Sequence, residues 1–165
     1  TLVKYNVDSL SQLPINFSGI LLQADEEYGN KVWDKHFGEV YSILKEQKRN
    51  YQFSGLLNPF ASIQSLSMGS CGTDLIHHLD FLSKAEIYRR YFVKQLNDEY
   101  TVVSTEGENA YLSNNDFFKS INDFNYSPLN FSSILYYYLY DILFLFSWTF
   151  FLIFFIVFKS RKLII

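Results

Sequence analysis

From Ile142 to Phe158 the chain carries no charged residue, and Lys159, Arg161 and Lys162 follow at once. Read back to Ile134 the apolar run is 25 residues long with a single acid, Asp141, which is enough to cross a bilayer as a tilted helix. Hydrocarbon offers no partner for a free N–H or C=O, so such a run satisfies its backbone internally as a helix. The pattern predicts an extramembrane domain over 1–131, a transmembrane helix over 132–158 opened by Ser132, and a basic tail over 159–165. Tyr136, Tyr137, Tyr138 and Tyr140 form an aromatic cluster suited to headgroup level, while Lys159, Arg161 and Lys162 reach the phosphates at the other end. Asp141, about one turn inside that belt, reads as a boundary acid still reached by water rather than as part of a proton path. Trp148 lies deeper than an interfacial tryptophan, and its indole N–H calls for a partner on a neighbouring helix.

Upstream, Trp33, Phe37, Val40, Tyr41 and Leu44 recur at three- and four-residue spacing, predicting an amphipathic helix over 30–49 that Gly38 weakens by about 1 kcal/mol relative to alanine. Leu75, Leu79, Leu82, Ala85, Tyr88, Phe92 and Leu96 line a second helix, with Thr73 as its cap. Residues 1–23, with Pro14 and Gly19, lack helical periodicity and read as extended. Residues 51–70, with Gly55 and Asn58-Pro59, read as loop with at most a turn of helix. β-Branched Thr101, Val102 and Val103 and the turn Glu106-Gly107-Glu108-Asn109 suggest a short β-hairpin from Tyr100 to Ser113. Asn115 is placed to cap a short helix through Phe117, Phe118 and Ile121. The fold class is therefore mostly α: a small helical extramembrane domain with a short hairpin, then one C-terminal transmembrane helix.

Charge adds a direction. All 17 acidic residues precede the tail, which holds 3 of the 14 lysines and arginines, so the positive-inside rule keeps the tail in the cytosol or matrix and sends the N-terminal domain across. The chain starts at Thr1 and has one methionine, Met68, so a removed leader is expected. The rival topology is a tail anchor of the mitochondrial outer membrane. Phe, Tyr, Asn, Ile and Lys make up 65 of the 165 residues, whereas Gly, Ala, Arg and Pro supply 18, a usage expected of an AT-rich genome such as that of an organelle, a protist or a virus. One cysteine, Cys71, excludes an intrachain disulfide framework. The sequons at Asn16, Asn125 and Asn130 are few enough to arise by chance.

Candidate chemistry is sparse. Gly69-Ser70-Cys71-Gly72 resembles the nucleophile turn of viral chymotrypsin-like cysteine proteases, where a glycine-rich turn exposes a thiolate and aims N–H groups at the oxyanion. That resemblance implies a cysteine hydrolase, but it spans four residues in a helical context, and a nucleophile also needs a base and its orienting partner. Asp74, His77 and His78 lie near Cys71, too few for a structural zinc site. Lys84, Arg89, Arg90 and Lys94 beside Tyr88, Tyr91 and Phe92 make a basic, aromatic patch that reads as a solvated or salt-bridged face rather than a nucleic-acid site, since the chain is net negative. No catalytic residue, cofactor or metal is assigned.

The reading these features favour is a non-catalytic accessory subunit with a single span, part of a larger complex in the mitochondrial inner membrane such as a respiratory-chain complex or the ATP synthase. Its domain would lie in the intermembrane space, and its contacts with lipid and partner subunits would run through Tyr137, Tyr140, Asp141, Trp148, Lys159, Arg161 and Lys162. The alternatives are a type I surface or viral envelope protein, and a membrane-anchored cysteine hydrolase centred on Cys71.

Overall fold

The computed structural model describes residues 2–104 and 111–163, and among these it is helical with no strand. A short helix α1 (Leu2–Tyr5) and a 3-10 turn (Leu10–Gln12) lead into α2 (Phe17–Ser54), followed by α3 (Pro59–Ser70), α4 (Leu75–Val103), α5 (Asn115–Ser120), α6 (Phe131–Tyr137) and α7 (Leu139–Leu163). The chain forms two compact units. The first takes residues 1–38 and 83–126, the second 39–82 and 127–165.

The helices are longer than their periodicity indicated. Residues 17–23 are the first turns of α2, not an extended segment. Asn16, 1% exposed, caps them: its Oδ1 accepts from the Ser18 N–H at 2.9 Å, and its own N–H donates to the Thr101 carbonyl at 2.9 Å. Gly19 is there because Thr101 sits where a Cβ would be, so it marks close helix packing rather than a break. Residues 59–70, expected as loop, are α3. Asn58 caps that helix by accepting from the Phe60 N–H at 3.1 Å, and Pro59 occupies its first turn, where a missing N–H costs nothing.

The hairpin is not formed. Thr101, Val102 and Val103 close α4, and the remainder of that prediction, residues 105–110, lies outside the described residues. Three caps also move by a residue or two: Asp74, not Thr73, receives the Ile76 and His77 N–H groups at 3.1 and 3.2 Å; Asn114, not Asn115, caps α5; and Asn130 opens α6 before Ser132.

In the first unit α2 and α4 are joined by ion pairs. Arg89 reaches Glu26 and Glu86, each at 2.8 Å, and Arg90 reaches Asp34 at 2.5 Å and Glu86 at 2.8 Å while lying over the Trp33 ring. The basic patch is thus a salt-bridged face within the chain. At the unit's other end Asn16 Nδ2 donates to Ser104 Oγ at 2.7 Å, and Asn97 Nδ2 donates to Gln23 Oε1 at 3.1 Å.

In the second unit α7 packs on α3. The helix pair α6–α7 is nearly continuous, interrupted at Tyr138 (φ −108°, ψ 13°), and α7 has 23 residues, Leu139–Arg161, long and apolar enough to cross a membrane, with mean hydropathy 2.4 in its most apolar window. Residues 149–161 are exposed on all sides.

Candidate functional site

The second unit holds a polar cluster on the α7-facing sides of α2, α3 and α4. Small residues create the room for it. Ala61, Ser65 and Gly69 recur every four residues on α3 and are buried, which lets α7 approach closely, as small-xxx-small stripes do in membrane helix pairs. A Cβ at Gly69 would run into the Tyr138 ring. Tyr138, at the α6–α7 junction, and Asp141 and Trp148 on α7 are the positions that meet α2 and α3 and the turn between them, at spacings of three and seven residues.

Asp74 is the centre of the upper half. Its carboxylate accepts from the Tyr138 hydroxyl, from His77 Nδ1 and from the His77 and Ile76 amides, and Lys48 Nζ lies 3.8 Å away, over the Tyr138 ring at 4.2 Å. Burial pushes the Asp74 carboxyl up, but the hydrogen bonds from Tyr138 and His77 outweigh it and hold the group down at about 2. An ionised carboxylate only accepts, so His77 Nδ1 carries the proton in this pair. Burial lowers the Lys48 ammonium from its ordinary value, and the facing Asp74 carboxylate opposes that shift. Beside Lys48 and Asp74 is a cavity of about 270 Å³, otherwise lined by residues such as Leu44, Tyr51, Met68 and Leu75.

The lower half lies along α7. Asp141, 0% exposed, accepts through Oδ2 from Gln52 Nε2 at 2.6 Å and from Ser65 Oγ at 3.1 Å; Gln52 also donates to the Tyr137 carbonyl at 3.1 Å. Trp148 Nε1 donates to the Gly55 carbonyl at 3.2 Å.

The structure therefore reassigns several sequence-predicted residues. Asp141 is not a water-reached boundary acid but the acceptor of an interhelical cluster. Tyr138 leaves the aromatic belt for the protein interior, while Tyr136, Tyr137 and Tyr140 remain exposed. The Trp148 indole N–H finds its acceptor in the α2–α3 turn of the same chain, the Gly55 carbonyl, rather than on a neighbouring helix. Lys159 lies over the Phe155 ring at 5.6 Å, and Arg161 is exposed near the end of α7; the Lys162 side chain lies outside the described residues. Gln52 and Ser65 were missed, and Gly69, read as part of a nucleophile turn, is instead the seat of the Tyr138 ring. The signal for them was present as four-residue spacing of small residues within a stretch that Gly55 and Pro59 disguised as loop.

The protease-like turn is taken up by helix termination. Gly72 has φ +70°, and the N–H groups of Cys71, Gly72 and Thr73 donate to the carbonyls of Ser67, Gly69 and Met68 at 3.0 to 3.2 Å. An oxyanion needs such groups free. Cys71 is exposed, and His77 is engaged by Asp74. Among the described residues no group of three or more His, Cys, Asp and Glu could hold a metal ion. The sequon asparagine Asn16 is buried and engaged as a cap, and Asn130 Oδ1 is engaged at α6. Chemically, the cluster can fix α7 to α2, α3 and α4 and set its rotation and depth.

The family model described as a domain of unknown function (DUF3526) matches residues 1–127, which takes in α1 to α5 and ends before α6. No curated protein and no solved structure matches the chain.

Proposed function

We propose that this chain, which belongs to the DUF3526 family, is a membrane-anchored, non-catalytic structural module of a larger membrane complex. The observation that carries the reading is the inverted burial of the second unit. Gln52, Ser62, Ser65, Asp74, His77 and Asp141 are inside, whereas Phe53, Leu56, Leu57, Phe60, Ile63 and most of α7 are outside. Water drives apolar groups inward, so a polar interior under an apolar exterior suits an element surrounded by lipid, where polar side chains act as the glue between helices.

Outside the span, Leu21, Tyr28 and Val32 on α2 are exposed at positions i, i+7 and i+11, one line along the helix. Aromatic and aliphatic residues placed so are suited to a partner subunit. The Lys159 to Lys162 tail supports a topology in which the N-terminal residues lie on the opposite side of the membrane. The narrower assignment, an accessory subunit of a mitochondrial inner-membrane complex with its domain in the intermembrane space, is supported by that charge asymmetry together with the AT-rich residue usage.

The test is native-gel migration of detergent-extracted protein with identification of what co-migrates. Comigration with defined membrane subunits is the expected result. Migration as a monomer from native membranes refutes the subunit reading.

A further inference from the structure

We infer that residues 50–73, the end of α2 with its turn and α3, form a re-entrant membrane element: a hairpin that enters the bilayer beside α7, turns near its middle among acyl chains, and returns to the same side. The inference rests on the reading that α7 spans the membrane.

Composition is the first argument. From Asn50 to Thr73 there are 24 residues without Asp, Glu, Lys, Arg or His, bounded by Lys48-Arg49 before and Asp74 after. The hydrophobic pattern conceals this stretch because serines and glutamines interrupt it. Charge does not.

Depth is the second. α3 runs antiparallel to α7, since Gly69 meets Tyr138 and Ser65 meets Asp141, while the end of α2 runs parallel, with Lys48 at Tyr138, Gln52 at Asp141 and Gly55 at Trp148. Trp148 is nine residues into α7, and at 1.5 Å per residue the turn is carried about 14 Å along that helix, about half of a 30 Å hydrocarbon core. If α7 crosses from Leu139, the turn cannot stay in water. Phe53 also packs on Tyr140 and Phe144, at ring separations of 5.4 and 6.1 Å, within the same span.

Backbone satisfaction is the third. Non-helical backbone at membrane depth is tolerated only when its polar groups are paired within the protein. At the turn, Gly55, Leu56 and Leu57 donate to the carbonyls of Gln52, Phe53 and Ser54; Asn58 donates to Ser54; Ala61 donates to Asn58; and Phe60 donates to Asn58 Oδ1. Pro59 has no N–H, and the Gly55 carbonyl accepts from Trp148. Every backbone donor from Gly55 to Ala61 is therefore engaged. Three of the side chains are paired as well: Ser54 and Ser70 bond back to the Tyr51 and Leu66 carbonyls, and Tyr51 donates to Gln64, whereas the buried Ser62 hydroxyl has no hydrogen-bond partner.

What the tip presents is apolar. Leu57 is 84% and Phe60 75% exposed, with Leu56 and Ile63 beside them. The occupant of that surface is lipid, because the tip is continuous with the exposed face of α7 at the same depth.

The experiment uses the full chain with Cys71→Ser, reconstituted alone in liposomes, with single cysteines at Leu57, Phe60, Phe150 and Glu39 labelled with an environment-sensitive fluorophore. Lipids carrying a nitroxide in the middle of the acyl chain and aqueous iodide serve as quenchers. All four positions are exposed, so the label displaces no packing. Labels at Leu57 and Phe60 are expected to be quenched by the lipid nitroxide as the Phe150 label is, and to lose the iodide quenching shown at Glu39. If Phe150 behaves so but Leu57 and Phe60 are quenched by iodide, the re-entrant hairpin is wrong and the spanning helix stands. Shielding of Leu57 and Phe60 from both quenchers means another copy of the protein covers the tip, which also overturns the inference. Iodide quenching at Phe150 removes the spanning helix and the hairpin together.

Discussion

Gly69→Ala should weaken the α3–α7 contact, and its effect should change sign when the ring of Tyr138 is removed. A Cβ at position 69 would lie 2.8 Å from Tyr138 Oη and closer still to two ring carbons, and the ring is fully buried with its hydroxyl engaged by Asp74. Overpacking of this kind costs about 1–3 kcal/mol. Alanine in a helix interior recovers about 1 kcal/mol relative to glycine, which leaves a net loss of up to about 2 kcal/mol. Tyr138→Leu deletes the atoms that would collide, so in that background only the helix-propensity gain remains and Gly69→Ala should be neutral or stabilising by up to about 1 kcal/mol. Thermal unfolding of the four proteins of this cycle in one detergent reads the difference, at about 2–4 °C per kcal/mol for a chain of this size. Equal destabilisation by Gly69→Ala in both backgrounds would refute the close approach of Tyr138 as the reason for glycine there.

Asp74 is held at about 2, below its ordinary 3.8, so its hydrogen bonds contribute stability that is present above pH 4 and lost as pH falls toward 2. The difference is about 2 kcal/mol, and Asp74→Asn should flatten the acid limb of a melting-temperature profile; an unchanged limb would count against the cluster. Trp148→Phe removes the donor to the Gly55 carbonyl and should cost about 0.5–1.5 kcal/mol in the same assay; no loss would show that the indole N–H makes no stabilising bond there. Asn16→Ala removes a buried cap and should destabilise by about 1–2 kcal/mol, read by faster amide exchange in the first turns of α2; exchange as slow as in the parent would show that the cap contributes little. Cys71→Ser should leave stability unchanged, because the thiol is exposed and the turn is held by backbone bonds; a loss above about 1 kcal/mol would mean that the sulfur is packed.

The sequence by itself determined the helical class, the apolar run of α7 and the presence of helices around Trp33 and Leu79, because each is a local matter of period, length and charge. It also marked Trp148 as a residue in need of a partner, since a lone indole N–H in an apolar run leaves few alternatives. Tertiary structure decided what glycine, proline and the small residues meant. Gly19 and Gly69 look like breaks in a one-dimensional reading, yet each is the place where a side chain from another helix fits, Thr101 in one case and Tyr138 in the other. The same applies to Asp141. Its position along the chain is that of an interfacial acid, and only the arrival of Gln52, 89 residues away, and Ser65, 76 residues away, makes it an interior acceptor. Period and composition report on neighbours along the helix, whereas the burial of a polar group depends on which distant groups reach it, and that is fixed only when the helices have packed.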